Sequence, residues 1–222
     1  MSELHTAKLI HITPDAEKLI AYQARVSSKN QDNPSIAQLL KFCLEHGHVS
    51  IFEMASMAIE ITTTRAISPQ ILRHRSFAFQ ELSQRYARPD EAGEPLPSLL
   101  QSAMLTDWRL QDTKNRQNSI VPTDAQYAEF AKFTTRFADL AKEAQDLYDD
   151  MLEAGIAKEC ARGVLPLNQP TRLYMHGTIR SWIHYLQVRT KPDTQKEHRL
   201  VAQSIEQIFA EQLPIIYEAI YL

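Results

Sequence analysis

Between Arg65 and Arg88 the chain places five arginines, Arg65, Arg73, Arg75, Arg85 and Arg88, with no lysine and a single acid, Glu81. Arginine used without lysine points to planar, two-pronged contacts. A guanidinium fork matches a phosphate or the carbonyl edge of a heterocycle, whereas an ammonium is a compact point charge. At the centre stands Arg73-His74-Arg75. Three consecutive side chains cannot share one face of a regular helix, because only residues three and four apart are neighbours there. If the chain leaves a helix at this triplet, the three side chains fan toward different groups of one or two anionic ligands. His74 adds a ring whose charge is adjustable near neutral pH. Taken alone, the triplet also reads as a solvated basic patch, and alone that is the commoner reading.

The context changes the weighting. Eight residues after Arg75 comes Ser83, with Glu81 two before it and Arg85 two after, in the run RHRSFAFQELSQRY. This five-point spacing resembles the signature of the flavin-dependent thymidylate synthases. The resemblance covers most of the chain outside Asp90 to Pro122. Gly47-His48 followed by Phe52-Glu53, and Gln70 ahead of the triplet, look like elements of that family. So do Ala161-Arg162, Leu165-Pro166, Thr171-Arg172, the run Leu186 to Arg189, and Gln195 with Glu197.

Carried over residue by residue, the resemblance implies that Gln70, Ile71, Leu72, Arg73, Glu81, Leu82, Ser83, Gln84, Arg85, Arg162 and Arg189 line a dUMP site. It implies that Ser50, Arg73, His74, Arg75, Glu81, Thr178, Ile179, Arg180 and His184 approach FAD, with His48 near the flavin or the folate. It further implies methylenetetrahydrofolate as carbon donor, NADPH as reductant, and a homotetramer with active sites between subunits. The chain departs from the family in places. Thr178 and His184 stand where several members carry Asn, Gln84 where glycine is frequent, and Asp193 where some relatives have His. A Gln84 side chain has to point away if its main-chain N–H is to reach a phosphate.

Methylating uracil at C5 requires an electron-rich C5. One route is attack of a cysteine on C6. The two cysteines do not suit it: Cys43 lies on an apolar helix face, Cys160 sits between Glu159 and Ala161, and neither has a general base nearby in sequence. Ser83 has no visible Ser–His–Asp arrangement, so nucleotide binding is its expected role. The other route is electrostatic. A guanidinium at O2/N3 stabilises the N3-deprotonated ring and pushes electron density toward C5. The resemblance makes Arg189 the candidate catalytic residue for this. Without the resemblance, Arg189 reads as an ordinary arginine near the negative end of a helix. The redox step belongs to a flavin. With only five glycines and no GxGxxG loop, arginines and histidine are left to hold its phosphates.

These residues need elements to position them. Lys8 to Thr13 reads as a strand, and Thr13-Pro14-Asp15 as a helix start. Asn33-Pro34 opens a second helix, with Ile36, Leu39, Leu40, Cys43 and Leu44 on its apolar face and Gly47 ending it. Ser50 to Thr64, rich in β-branched residues, reads as one long strand. Ala66 to Arg73 reads as a short helix and Leu82 to Ala87 as a strand. Asp90 to Pro122 is polar, proline-containing and weakly patterned, and reads as an insertion or a mobile loop region. Thr123 and Gln126 have capping-box spacing. Beyond them Phe130, Phe133, Phe137, Leu140, Ala144, Leu147 and Met151 form one apolar stripe on a long helix near 123–154, stopped at Gly155. The stripe suits a core or a subunit interface better than a coiled-coil seam. Ile156 to Val164 reads as a helix, Pro170 to Met175 as a strand, and Thr178 to Val188 as a helix. In a last helix, Gln195 to Leu213, residues Leu200, Val201, Ile205, Ile208 and Phe209 point inward. The sum is α+β: one domain over 1–222, with a small, mostly antiparallel sheet and several helices.

Composition bounds the rest. The 222 residues carry 44% hydrophobic and 23% charged side chains and a net charge of −3. Nothing global favours nucleic acid. No apolar run approaches the roughly 20 residues that span a bilayer, and Met1 to Thr13 lacks a signal-peptide layout, so the expected location is cytoplasmic. Of the eight histidines, His5, His11 and His46 read as surface or core residues and His176 and His198 have no assigned role. They form no spaced metal motif, and no metal is expected. Three rival readings remain at this point: a non-catalytic nucleotide-binding module, a flavoenzyme acting on another pyrimidine nucleotide, and a helical interaction protein using the Phe130–Met151 stripe.

Overall fold

The computed structural model describes residues 4–88, 91 and 95–221. In chain order the elements are β1 (Thr6–Ile12), α1 (Ala16–Ala24), α2 (Ile36–Glu45), a 3-10 turn (Val49–Glu53), β2 (Ser56–Thr64), α3 (Ser68–Ile71) and β3 (Ala78–Glu81). They continue with α4 (Leu99–Met104), β4 (Leu110–Gln111), β5 (Ser119–Ile120), α5 (Asp124–Glu153), α6 (Lys158–Ala161) and a second 3-10 turn (Arg162–Val164). The chain closes with β6 (Pro170–Thr178), α7 (Ile179–Arg189), α8 (Lys196–Gln212) and α9 (Pro214–Tyr221). The four-stranded sheet has the order β1-β2-β6-β3 with every pair antiparallel, and β4 and β5 form a separate hairpin. The class is α+β, as expected.

The core lies on one face of the sheet. Alternate residues Met57, Ile59 and Ile61 of β2 and Leu173 and Met175 of β6 are fully buried. They pack with Trp182, Tyr185 and Leu186 of α7 and with Val201, Ile205 and Phe209 of α8. Period two on the strands and period 3.6 on the helices bring these side chains together. In α8, Leu200 faces outward instead of inward, while Ile208 packs at the core's margin. Gly177 lies against the ring of Phe77; a Cβ there would sit 2.5 Å from Phe77 Cδ1. Phe77 in turn packs edge-on against Trp182 at 4.7 Å.

Several boundaries differ from the sequence reading. The long strand expected over 50–64 begins only at Ser56. Before it the chain coils as a 3-10 turn that sinks Phe52 into the core, because a β-prone composition yields to the packing an aromatic side chain finds. Thr13 does not cap α1: its hydroxyl pairs with Ser56, and the helix starts after Asp15, at φ 48°. The strand expected at 82–87 lies earlier, at 78–81. Ser83 turns the chain there, with its carbonyl accepting from Tyr86 and Ala87 N–H at 3.0 and 3.1 Å and its hydroxyl from Arg85 N–H at 3.4 Å. Such local bonding competes with a strand.

The stretch read as a mobile loop, 90–122, is structured over its described part. It contains α4, closed by a Ser98/Gln101 capping box, and the β4–β5 hairpin; Asp90 and residues 92–94 lie outside the described residues. The Thr123/Gln126 capping box forms as expected, and Gly155, at φ 82°, follows the end of α5. Much of the α5 stripe is not core within one chain. Phe133, Leu140 and Leu147 are 41%, 53% and 47% exposed, and the helix buries Ala141 and Tyr148 instead.

Candidate active site

The Arg73–Arg75 triplet lies just beyond α3, where the chain has left the helix, so its side chains diverge. Arg73 and Arg75 are exposed, and neither forms an ion pair among the described residues. His74 is half-buried and accepts a hydrogen bond at Nε2 from Arg189 Nε at 2.9 Å. Burial, Arg189 and His184 together lower the His74 pKa from 6.5 to about 4. Its ring stands edge-on to Tyr185 at 4.9 Å. Behind it, the Tyr185 hydroxyl meets His198 Nε2 at 3.1 Å, and both residues are fully buried. His198, unassigned in the sequence, was legible by period: it shares the buried stripe of α8 with Val201, Ala202 and Ile205.

Glu81, at the end of β3, is held from two sides. Arg65 Nη1 pairs with its Oε1 at 3.0 Å, and the Thr171 hydroxyl donates to the same oxygen at 3.0 Å. Arg65 also donates to the Leu82 carbonyl, while Leu82 N–H reaches Arg172 O at 2.9 Å. Ser83 is half-buried, and Gln84 is buried at 7% exposure. Arg85 is exposed and pairs with Glu159 at 3.1 Å, and Arg162 is exposed on the turn after α6.

A second group gathers where α7 leaves β6. Thr178 caps α7 by accepting from Ser181 N–H at 3.3 Å. Arg180 pairs with Glu53. Arg180 and His184 line a concavity of about 220 Å³ with Val49, Phe52, Ile183 and Gln187. Ser50 is exposed on the adjoining turn, as is His48 just before it. Ile71 and Ile179 are fully buried, so any contact they make with a ligand comes from the main chain. Leu72 is exposed. Gln70 donates from Nε2 to Gln195 Oε1 at 2.7 Å.

The residues do not form one cluster within a single chain. Leu82 is level with Arg172 on β6, whereas α7 starts after Thr178. Six residues of strand separate these levels, ~20 Å. The Ser83–Arg85 turn and the Thr178–His184 group therefore sit toward opposite ends of β6. Among the described residues, no hydrogen bond or ion pair joins Arg85 to Arg189. Cys43 is buried on α2, and burial raises its thiol pKa, which does not suit a nucleophile.

Residues 8–215 match the family model described as thymidylate synthase complementing protein, Thy1. The flavin-dependent thymidylate synthase of Synechocystis sp. is 50% identical, over 92% of this chain and 89% of its own. The probable flavin-dependent thymidylate synthase of Paramecium bursaria Chlorella virus 1 is 46% identical, over 97% of this chain and 98% of its own. Among solved structures, the UMP/dUMP methylase PolB from Streptomyces cacaoi, bound with 5-Br dUMP, superposes with a TM-score of 0.77. It is 26% identical, with 97% of this chain and 93% of that one covered.

Proposed function

Because the chain belongs to the Thy1 family, that of the flavin-dependent thymidylate synthases, we propose that it methylates dUMP to dTMP, with methylenetetrahydrofolate as carbon donor, FAD as hydride carrier and NADPH as reductant. The observation that carries the reading is the Arg189–His74 pair. The bond to His74 uses Arg189 Nε, which leaves the outer Nη1/Nη2 edge of the guanidinium for a ligand. That edge is the shape required to hold the O2/N3 side of a uracil ring as its N3-deprotonated form. Arg73, Arg162 and Arg85 supply cationic groups for the nucleotide's phosphate, and Gln70 and Ser83 supply neutral hydrogen bonds.

The residues also suit FAD. Exposed Arg73 and Arg75 offer donors for a diphosphate, and the concavity beside Arg180 and His184 offers apolar walls with polar rims. Bound there, FAD would supply the redox chemistry that completes the methyl group. Glu81, fixed by Arg65 and Thr171, orders the strand end from which Leu82 and Ser83 face the nucleotide.

The two groups at opposite ends of β6 support a homotetramer whose active sites lie between subunits, each site taking one group from each of two chains. The exposed α5 stripe supplies an apolar face for such contacts. No helix among the described residues is long and apolar enough to cross a membrane, and the proposed location is the cytoplasm.

Tritium release from C5-labelled dUMP tests the activity, with FAD, methylenetetrahydrofolate and NADPH each omitted in turn. Release that needs all three establishes it; no release from the FAD-loaded protein overturns it. A second reading, UMP as substrate, is favoured only by the likeness to a UMP/dUMP methylase, and labelled UMP in the same assay decides it.

A further inference from the structure

Arg109 lies in the stretch that reads as an insertion, just before β4, and every nitrogen of its guanidinium has a partner. Nε donates to Ser119 Oγ at 2.8 Å, Nη1 pairs with Asp107 at 2.9 Å, and Nη2 pairs with Glu197 Oε1 at 2.6 Å. The Arg109 side chain is 12% exposed and that of Glu197 19%. Lys196, next to Glu197, returns to Asp107 at 2.6 Å. The insertion is thereby tied to the start of α8 by two ion pairs, Arg109–Glu197 and Lys196–Asp107, and Asp107 also pairs with Arg109.

The contacts continue from Glu197. Its other oxygen, Oε2, accepts from Gln195 Nε2 at 3.0 Å, and Gln195 Oε1 accepts from Gln70 Nε2 at 2.7 Å. The chain of bonds has a fixed polarity. An ionised carboxylate only accepts, so Gln195 must turn its NH2 group toward Glu197. Its oxygen is then left for Gln70, and Gln70 must answer with its own NH2. The Gln70 side-chain oxygen is what remains for a ligand. Burial raises the Glu197 carboxyl pKa, but hydrogen bonds from its own backbone and from Arg109 outweigh it and leave the pKa lowered. The acceptor at the head of the chain is therefore constant.

We infer that Arg109 is a positioning residue for the nucleotide site: through Glu197 and Gln195 it fixes Gln70 so that its oxygen accepts from a sugar hydroxyl of the nucleotide. This rests on the reading of Gln70 as a nucleotide-contacting residue. Without Arg109, Glu197 is no longer held in place and can turn away from Gln195, and the Gln195 and Gln70 amides can then take either orientation.

The test is binding of labelled dUMP to the FAD-loaded full chain by equilibrium dialysis, with kcat and KM measured alongside. Arg109→Gln and Glu197→Gln should each weaken dUMP roughly fivefold, the worth of one oriented hydrogen bond. They should raise KM and leave kcat within about twofold. Gln70→Ala should weaken dUMP at least as much, and Arg109→Gln should add nothing in the Gln70→Ala background. Arg109→Lys, which keeps the charge, should restore part of the loss. Effects of Arg109→Gln and Gln70→Ala that multiply would overturn the inference, as would unchanged dUMP affinity in both Arg109→Gln and Glu197→Gln. Unchanged affinity in Gln70→Ala overturns the assignment of Gln70 and this inference with it; a loss there with Arg109→Gln and Glu197→Gln neutral overturns the relay alone. If Arg109→Gln fails to fold, the nearly isosteric Glu197→Gln decides by itself.

Discussion

Arg189 donates from Nε to His74 Nε2 at 2.9 Å. A guanidinium nitrogen cannot accept, so the imidazole nitrogen facing it carries a lone pair: His74 is neutral, with its proton on Nδ1. The histidine thus orients the arginine without competing for its outer edge, and burial together with the arginine keeps the histidine from charging. Each of the two residues helps set the state of the other.

Arg189→Ala is expected to keep FAD and lose turnover by at least about a hundredfold, the scale of one missing electrostatic donor in a transition state. Arg189→Lys should recover little, since an ammonium cannot bond His74 and present a two-pronged edge together. Tritium release and flavin absorbance of the purified variants check both.

His74 and His198 have folded pKa values lowered from 6.5 to about 4 and about 3, in each case by burial first and the Arg189 charge second. Between these values and 6.5 the unfolded chain binds more protons, so stability rises with pH in that window. The contribution of these two groups should be flat above about pH 7, with stability falling as pH drops from 6.5 toward 3. Urea midpoints measured across this range check it; His198→Asn should flatten the lower part of the slope.

Gly177→Ala puts a methyl group into the ring of Phe77, which is itself fixed against Trp182. We expect a loss of about 1–3 kcal/mol, the usual cost of overpacking. Phe77 follows the Arg73–Arg75 segment closely, so FAD affinity should fall too. Thermal melting and flavin titration measure the two effects separately; Gly177→Ala with Phe77→Leu should recover part of each.

Arg65→Met leaves Glu81 without its cationic partner at a site where both side chains are mostly covered, 24% and 16% exposed. About 2 kcal/mol of stability should go, below the cost for a fully buried pair. Arg65→Met with Glu81→Gln should be more stable than Arg65→Met alone. Denaturant midpoints give the comparison.

Leu140→Asp changes the middle of the α5 stripe, where the side chain is 53% exposed in one chain. It should leave the monomer fold intact and lower the mass seen by light scattering from that of the proposed tetramer to a smaller species. A tetramer that survives this change together with Leu147→Asp would place the interface elsewhere.

What the sequence determined by itself is what local rules control. Capping boxes need only two residues three apart, and that at Thr123/Gln126 forms as read. The end of α5 at Gly155 needs only a residue that tolerates positive φ. The family was legible because a spaced set of arginines, one glutamate and one serine is specific, and the match to that family spans residues 8–215. Tertiary structure decided everything that depends on a partner distant in sequence. Ser50 to Ala55 has the composition of a strand, yet Phe52 finds the core by coiling. Phe133, Leu140 and Leu147 have the period of a core stripe, yet no element of the same chain covers them fully. The neutrality of His74 follows from its burial and from Arg189, 115 positions away, and the orientation of Gln70 from Gln195, 125 positions away. Spacing names the groups that can act; their protonation and direction belong to the neighbours that folding supplies, because a charge or a hydrogen bond acts through space and not along the chain.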